Sequence, residues 1–150
     1  MPPCHGLVYL AGAAIAAWAC DAGSQARLVR LALVGAVGWA IAGVTVLPRA
    51  DVGGAVGAAL LAVYLVYGRA PAVYASVFLV VAWLELYGTA IGTWEWAATI
   101  PGTGVPQGNP PSGVAAGYVW FDIVALAAAP RLMRWGARIR PGSRALPDSA

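Results

Sequence analysis

The chain has no lysine, one histidine and two cysteines among its 150 residues. Each shortage removes a chemistry. Without lysine there is no retinal or pyridoxal Schiff base and no Walker phosphate loop. His5 alone cannot build a bis-histidine haem site, a zinc cluster or a Ser-His triad, so neither a metal nor a cofactor is expected. Cys4 and Cys20 stand at opposite ends of one hydrophobic run, too far apart to pair. Charge is scarce as well. Only 10% of the residues are charged, against about 25% in a soluble domain. Such a chain cannot cover its surface with charge, and lipid must cover it instead.

What is present fits that reading. The chain is 61% hydrophobic, with a mean hydropathy of +0.74. A helix crosses the hydrocarbon core with about 20 mostly apolar residues. Hydrophobic runs predict spans at Gly6 to Cys20, Leu28 to Leu47, Val52 to Tyr67, Ala72 to Trp94 and Val114 to Met133. The breaks between them carry turn residues, among them Asp21-Ala-Gly-Ser, Pro48-Arg-Ala-Asp51 and the Pro/Gly-rich loop Pro101 to Gly113. The expectation is an all-α polytopic membrane protein with five transmembrane helices, or four if the short first run does not span. The helical domain covers 1–135, and a short basic tail covers 136–150. Met-Pro-Pro-Cys-His lacks a basic residue, and Trp18 is too large for a cleavage site in Ala17-Trp18-Ala19-Cys20, so the first run is expected to be a retained helix rather than a signal peptide.

All nine basic residues are arginines. With five spans and the C-terminus in the cytoplasm, Arg27, Arg30, Arg69 and the five from Arg131 to Arg144 lie inside, and only Arg49 lies outside. That asymmetry predicts an external N-terminus, a cytoplasmic C-terminus and residence in a cell membrane, the inner membrane of a bacterium. The basic C-terminal end follows a hydrophobic run, so it is expected at anionic lipid heads rather than on nucleic acid.

Two acids interrupt the last two spans, Glu85 and Asp122. A carboxylate inside a bilayer is expensive, and it marks a functional site by default. At 100° per residue, Tyr74, Phe78, Val81, Glu85, Thr89, Gly92 and Trp96 share one helical stripe. Ala115, Tyr118, Asp122, Leu126 and Ala129 share another. Counted from the outer ends of their spans, Glu85 lies at roughly 14 Å and Asp122 at roughly 12 Å. The pair is therefore expected at one level, facing a shared cavity. Gly53/Gly57, Gly88/Gly92 and Gly113/Gly117 are small-residue pairs that permit close helix approach. Trp83, Tyr118 and Trp120 are expected deep in the protein, where their π-faces would steady a cation. Trp94 and Trp96 flank Glu95 near the outer interface, as an aromatic belt does. The prolines of the 101–113 loop limit its backbone freedom, and the loop is expected to be ordered over the site.

The stretch Glu85-Leu-Tyr-Gly-Thr-Ala-Ile-Gly-Thr-Trp-Glu-Trp96, followed by a span bearing Asp122, resembles small integral-membrane carotenoid and terpenoid enzymes of the lycopene-cyclase-like and carotenoid-hydratase-like kinds. The resemblance covers about forty residues. It implies acid-initiated cyclisation or hydration of an isoprenoid, without a redox cofactor, by an enzyme of the isomerase or lyase class. Glu85 and Asp122, with Tyr118, are then the catalytic candidates, and Trp83, Thr89, Glu95, Trp96 and Trp120 the substrate-binding ones. Two other readings stay open: a small proton-coupled transporter or channel, and a structural subunit of a membrane complex. The expected partners are the bilayer, a hydrophobic small molecule, and a second copy or another membrane subunit.

Overall fold

The computed structural model describes residues 4–139. Five helices account for most of them: α1 (Cys4–Trp18), α2 (Ala22–Thr45), α3 (Val52–Tyr67), α4 (Pro71–Ala90) and α5 (Val114–Ile139). Three of these, α2, α4 and the 114–136 part of α5, are long and apolar enough to cross a membrane. The helices α1 and α3 have 15 and 16 residues, about 23 Å of length each. Among the described residues there is no strand, only an isolated bridge between Thr99 and Pro106. Residues 140–150, most of the expected basic tail, lie outside the described residues, and α5 itself continues to Ile139, beyond the expected domain edge at 135.

Local chemistry explains the helix starts. Asp21 caps α2, accepting from the Ser24 N–H at 2.8 Å, and Asp51 caps α3, accepting from the Gly54 N–H at 3.1 Å. Pro71 opens α4, where its missing N–H costs nothing.

α4 is the central element and touches all four other helices. Its side chains Tyr74, Val77, Phe78 and Val81 are buried against Ala32 and Ala36 of α2, Leu61 and Leu65 of α3, and Ala115 and Val119 of α5. The outer faces are apolar too. Leu10, Val34, Val56, Leu60, Val63, Phe121 and Val124 are all exposed, which is how a membrane bundle meets lipid.

Two expectations about helix faces change. α4 ends at Ala90, not Trp94, and Gly92 turns the chain with φ 72°. Gly92 and Trp96 therefore leave the Glu85 stripe. The small-residue pairs also differ from their spacing. Gly57 and Gly113 meet each other, and a Cβ on Gly57 would lie 2.9 Å from Gly113 Cα. Gly117 faces open space, and Gly88 receives the Trp94 indole rather than a neighbouring helix.

Candidate functional site

Glu85 is buried on α4, and its Oε2 accepts two hydrogen bonds. The Trp94 Nε1–H donates at 2.9 Å and the Trp96 Nε1–H at 3.0 Å. Both indoles reach back because the helix stops at Ala90 and the chain turns at Gly92. The two tryptophans expected as an aromatic belt form a clamp on the acid. Beside it lies a cavity of about 450 Å³, lined by Val8 of α1, by Val81, Leu84 and Glu85 of α4, by Trp94 and Trp96, and by Tyr118 of α5. That volume lies within the range of about 300–1,000 Å³ typical of small-molecule sites, and an apolar wall with a few converging polar groups is their usual lining.

The loop after α4 holds this clamp in place, and one residue organises the loop. Asp51 is fully buried. Besides capping α3, its carboxylate accepts from the Gly108 N–H at 2.8 Å and the Ser112 N–H at 2.6 Å. A carboxylate offers several acceptor sites, and burial among N–H donors is the arrangement that offsets its desolvation. The Gly53 N–H donates to the Pro106 carbonyl at 2.9 Å, and Gln107 donates to the carbonyl of Ala97 at 3.0 Å. The backbone of Trp96 is gripped on both sides. Its N–H donates to Asn109 Oδ1 at 2.9 Å, and its carbonyl accepts from Arg49 Nη2 at 2.9 Å. The loop is thus hydrogen-bonded to the start of α3, and Asn109 joins it to the wall of the cavity.

The two acids on α4 and α5 have different surroundings. Since α4 ends at Ala90, Glu85 lies about 8 Å from its helix end rather than 14 Å, whereas Asp122 lies about 12 Å along α5. Tyr118 lines the cavity, and Asp122, one turn further along α5, does not. Asp122 Oδ2 is buried and has no hydrogen-bond partner.

The remaining site candidates are distributed as follows. Trp96 and Tyr118 face the cavity. The Thr89 hydroxyl is spent on the Glu85 backbone carbonyl at 2.7 Å. Glu95 is 79% exposed and pairs with Arg49 at 3.6 Å, away from the cavity. Trp83, expected deep, is exposed and stacks on Tyr87 with ring centroids 5.6 Å apart. Trp120 is also at the surface, edge-on to Tyr64. Spacing alone did not mark Asp51, Trp94 or Asn109. The available signals were an acid directly before a helix and an Asn-Pro pair in a loop rich in glycine. No protein-family model, no curated protein and no solved structure matches this chain.

Proposed function

We propose that this is a five-span membrane enzyme that uses Glu85 as the acid for cyclisation or hydration of an isoprenoid. The observation that carries the reading is the indole-clamped carboxyl on the wall of an apolar cavity. With Oε2 held by two N–H donors, Oε1 is the oxygen left to carry and deliver a proton. The indole donors receive the charge that remains on the carboxylate afterwards. Protonation of a C=C bond forms a C–H bond and leaves a carbocation. The π-faces of Trp94, Trp96 and Tyr118 would stabilise that cation. In cyclisation a second double bond closes a C–C bond, and a neighbouring carbon returns a proton to Glu85. In hydration, water adds to the cation and returns the proton. Neither route changes the redox state or calls for a cofactor.

The orientation goes with this reading. All five helices cross, the N-terminus and the Glu85 cavity face the outside, and the C-terminus is cytoplasmic. Arginine asymmetry supports this, as does the apolar exterior of the short helices α1 and α3, which flank the membrane-length α4.

The test compares extracted lipids from cells with and without the gene by mass spectrometry. The enzyme should convert one isoprenoid into an isomer, or into a product heavier by one water. Glu85→Gln should abolish the conversion with the protein still folded. Lipid profiles that do not change with the gene would sink the proposal. The buried Oδ2 of Asp122 favours a second reading, proton-coupled transport, which proton-gradient-driven uptake into proteoliposomes would reveal.

A further inference from the structure

At the end of the bundle opposite Glu85, a second cavity of about 310 Å³ opens between α3, α4 and α5. Its walls include Arg69 and Arg131, the rings of Tyr64, Tyr67 and Tyr74, and the apolar Ile123, Leu126 and Ala127. Arg69 and Arg131 are exposed residues that line one cavity, and like charges on one wall favour an anion between them. No carboxylate lines this cavity. Asp122 precedes the wall residue Ile123 but is not itself in the wall. Among the described residues the ion pair is Arg49–Glu95, at the other end of the bundle. Arg69 makes no hydrogen bond or ion pair there, and Arg131 uses one N–H, donated from Nη1 to the Ala127 carbonyl at 3.0 Å. The remaining donors match the oxygens of a phosphate, the anion that a guanidinium fork recognises best. The tyrosine side of the cavity is stiff, because Tyr64 packs edge-on against both Tyr74 and Trp120.

The rest of the lining selects the source of the phosphate. Ile123 and Leu126 continue along α5 below Arg131, so a polar end and an apolar wall meet in one cavity. A soluble phosphate has no use for the apolar wall, whereas the junction between a lipid headgroup and its chain fits both. We infer that this cavity is a specific site for the phosphate of an anionic membrane lipid, with its chain along Ile123 and Leu126. The inference does not depend on the chemistry at Glu85.

A neighbouring cavity supplies the internal control. It is lined by Trp18, Ser24 and Arg27 and carries a single guanidinium, which already donates to Ser24 Oγ at 3.1 Å. The experiment places the full-length protein in phosphatidylcholine nanodiscs doped with phosphatidylglycerol. Native mass spectrometry then counts the lipids retained after release. The wild type should retain phosphatidylglycerol over phosphatidylcholine. Arg69→Gln and Arg131→Gln should each weaken that preference about fivefold, and Arg27→Gln and Arg134→Gln should leave it unchanged. Equal retention of the two lipids by the wild type, a measurement that needs no variant, would overturn the inference. So would an equal loss in Arg27→Gln, which would reduce the effect to general interfacial charge. Displacement of the lipid by millimolar inorganic phosphate would reassign the site to a free anion and likewise overturn it.

Discussion

Asp51 accepts backbone N–H groups from Gly54, Gly108 and Ser112 while fully buried, so loss of its carboxylate strands donors where water cannot reach them. Each stranded buried donor costs about 1–3 kcal/mol. Asp51→Ala should therefore destabilise the protein by about 3 kcal/mol, read as a lower Tm in detergent. The same variant should red-shift tryptophan emission, because the loop that holds Trp96 through Asn109 is released. An unchanged Tm and spectrum would mean that the loop docks without Asp51. Asp21 shows the opposite case, a carboxylate in water. Hydrogen bonds from the Ser24 side chain and N–H hold its pKa below the usual carboxylate range. The sign follows from linkage. A lowered folded-state pKa adds stability that is complete above the unfolded value and is lost as pH falls through the folded value. The α2 start should therefore loosen only in acid below the ordinary aspartate range. Asp21→Ala should remove that acid-dependent step, which hydrogen exchange at Ser24 would detect.

At the scale of elements, the meeting of α3 with the start of α5 depends on two glycines. A Cβ on Gly113 would lie 2.6 Å from the Gly54 carbonyl oxygen and 3.1 Å from Gly57 Cα. Backbone cannot yield as a side chain does, so the helices would have to separate. Gly113→Ala should cost about 1–3 kcal/mol, the usual penalty of overpacking. Gly117→Ala is the matched control, since nothing lies within 4 Å of its Cβ position; it should be neutral or slightly stabilising, because alanine is the better helix former. Thermal melts of the two variants check the pair. Equal melts would show that the α3–α5 approach is not limiting. The element scale also explains why the two acids have different surroundings. Hydrophobicity continues past Ala90 to Trp94, so a reading by hydropathy extends α4 four residues too far. The chain leaves the helix there because Gly92 adopts a left-handed φ and two large indoles bond to Glu85.

For the whole molecule, the helix ends sort the arginines. Arg27 and Arg30 at the start of α2, Arg69 before α4, and Arg131 and Arg134 late in α5 gather where α1 and α3 end. Among the described residues Arg49 alone lies at the Glu85 end, paired with Glu95 and holding the carbonyls of Trp96 and Ala97. Reporter fusions after Arg69 and Arg144 should read cytoplasmic, and one after Gly104 should read external. A cytoplasmic signal at Gly104 would invert the molecule and place the Glu85 cavity on the inner side.

By itself the sequence determined the class and the number of helices. Long apolar runs, absent lysine and turn residues at the breaks are local properties, and no tertiary contact is needed to read them. It also marked Glu85 as a candidate, because an acid among hydrophobic residues is costly wherever the chain folds. The partners of Glu85 were decided by tertiary structure, because two indoles nine and eleven residues away can reach it only if the helix stops early. The role of Asp51 was decided there too. Its loop donors stand 57 and 61 residues along the chain, and a carboxylate gives no sign in sequence of which distant N–H groups it will gather. The division of Glu85 and Asp122 between different surroundings has the same origin: small differences in where two helices begin and end set the depth of each side chain.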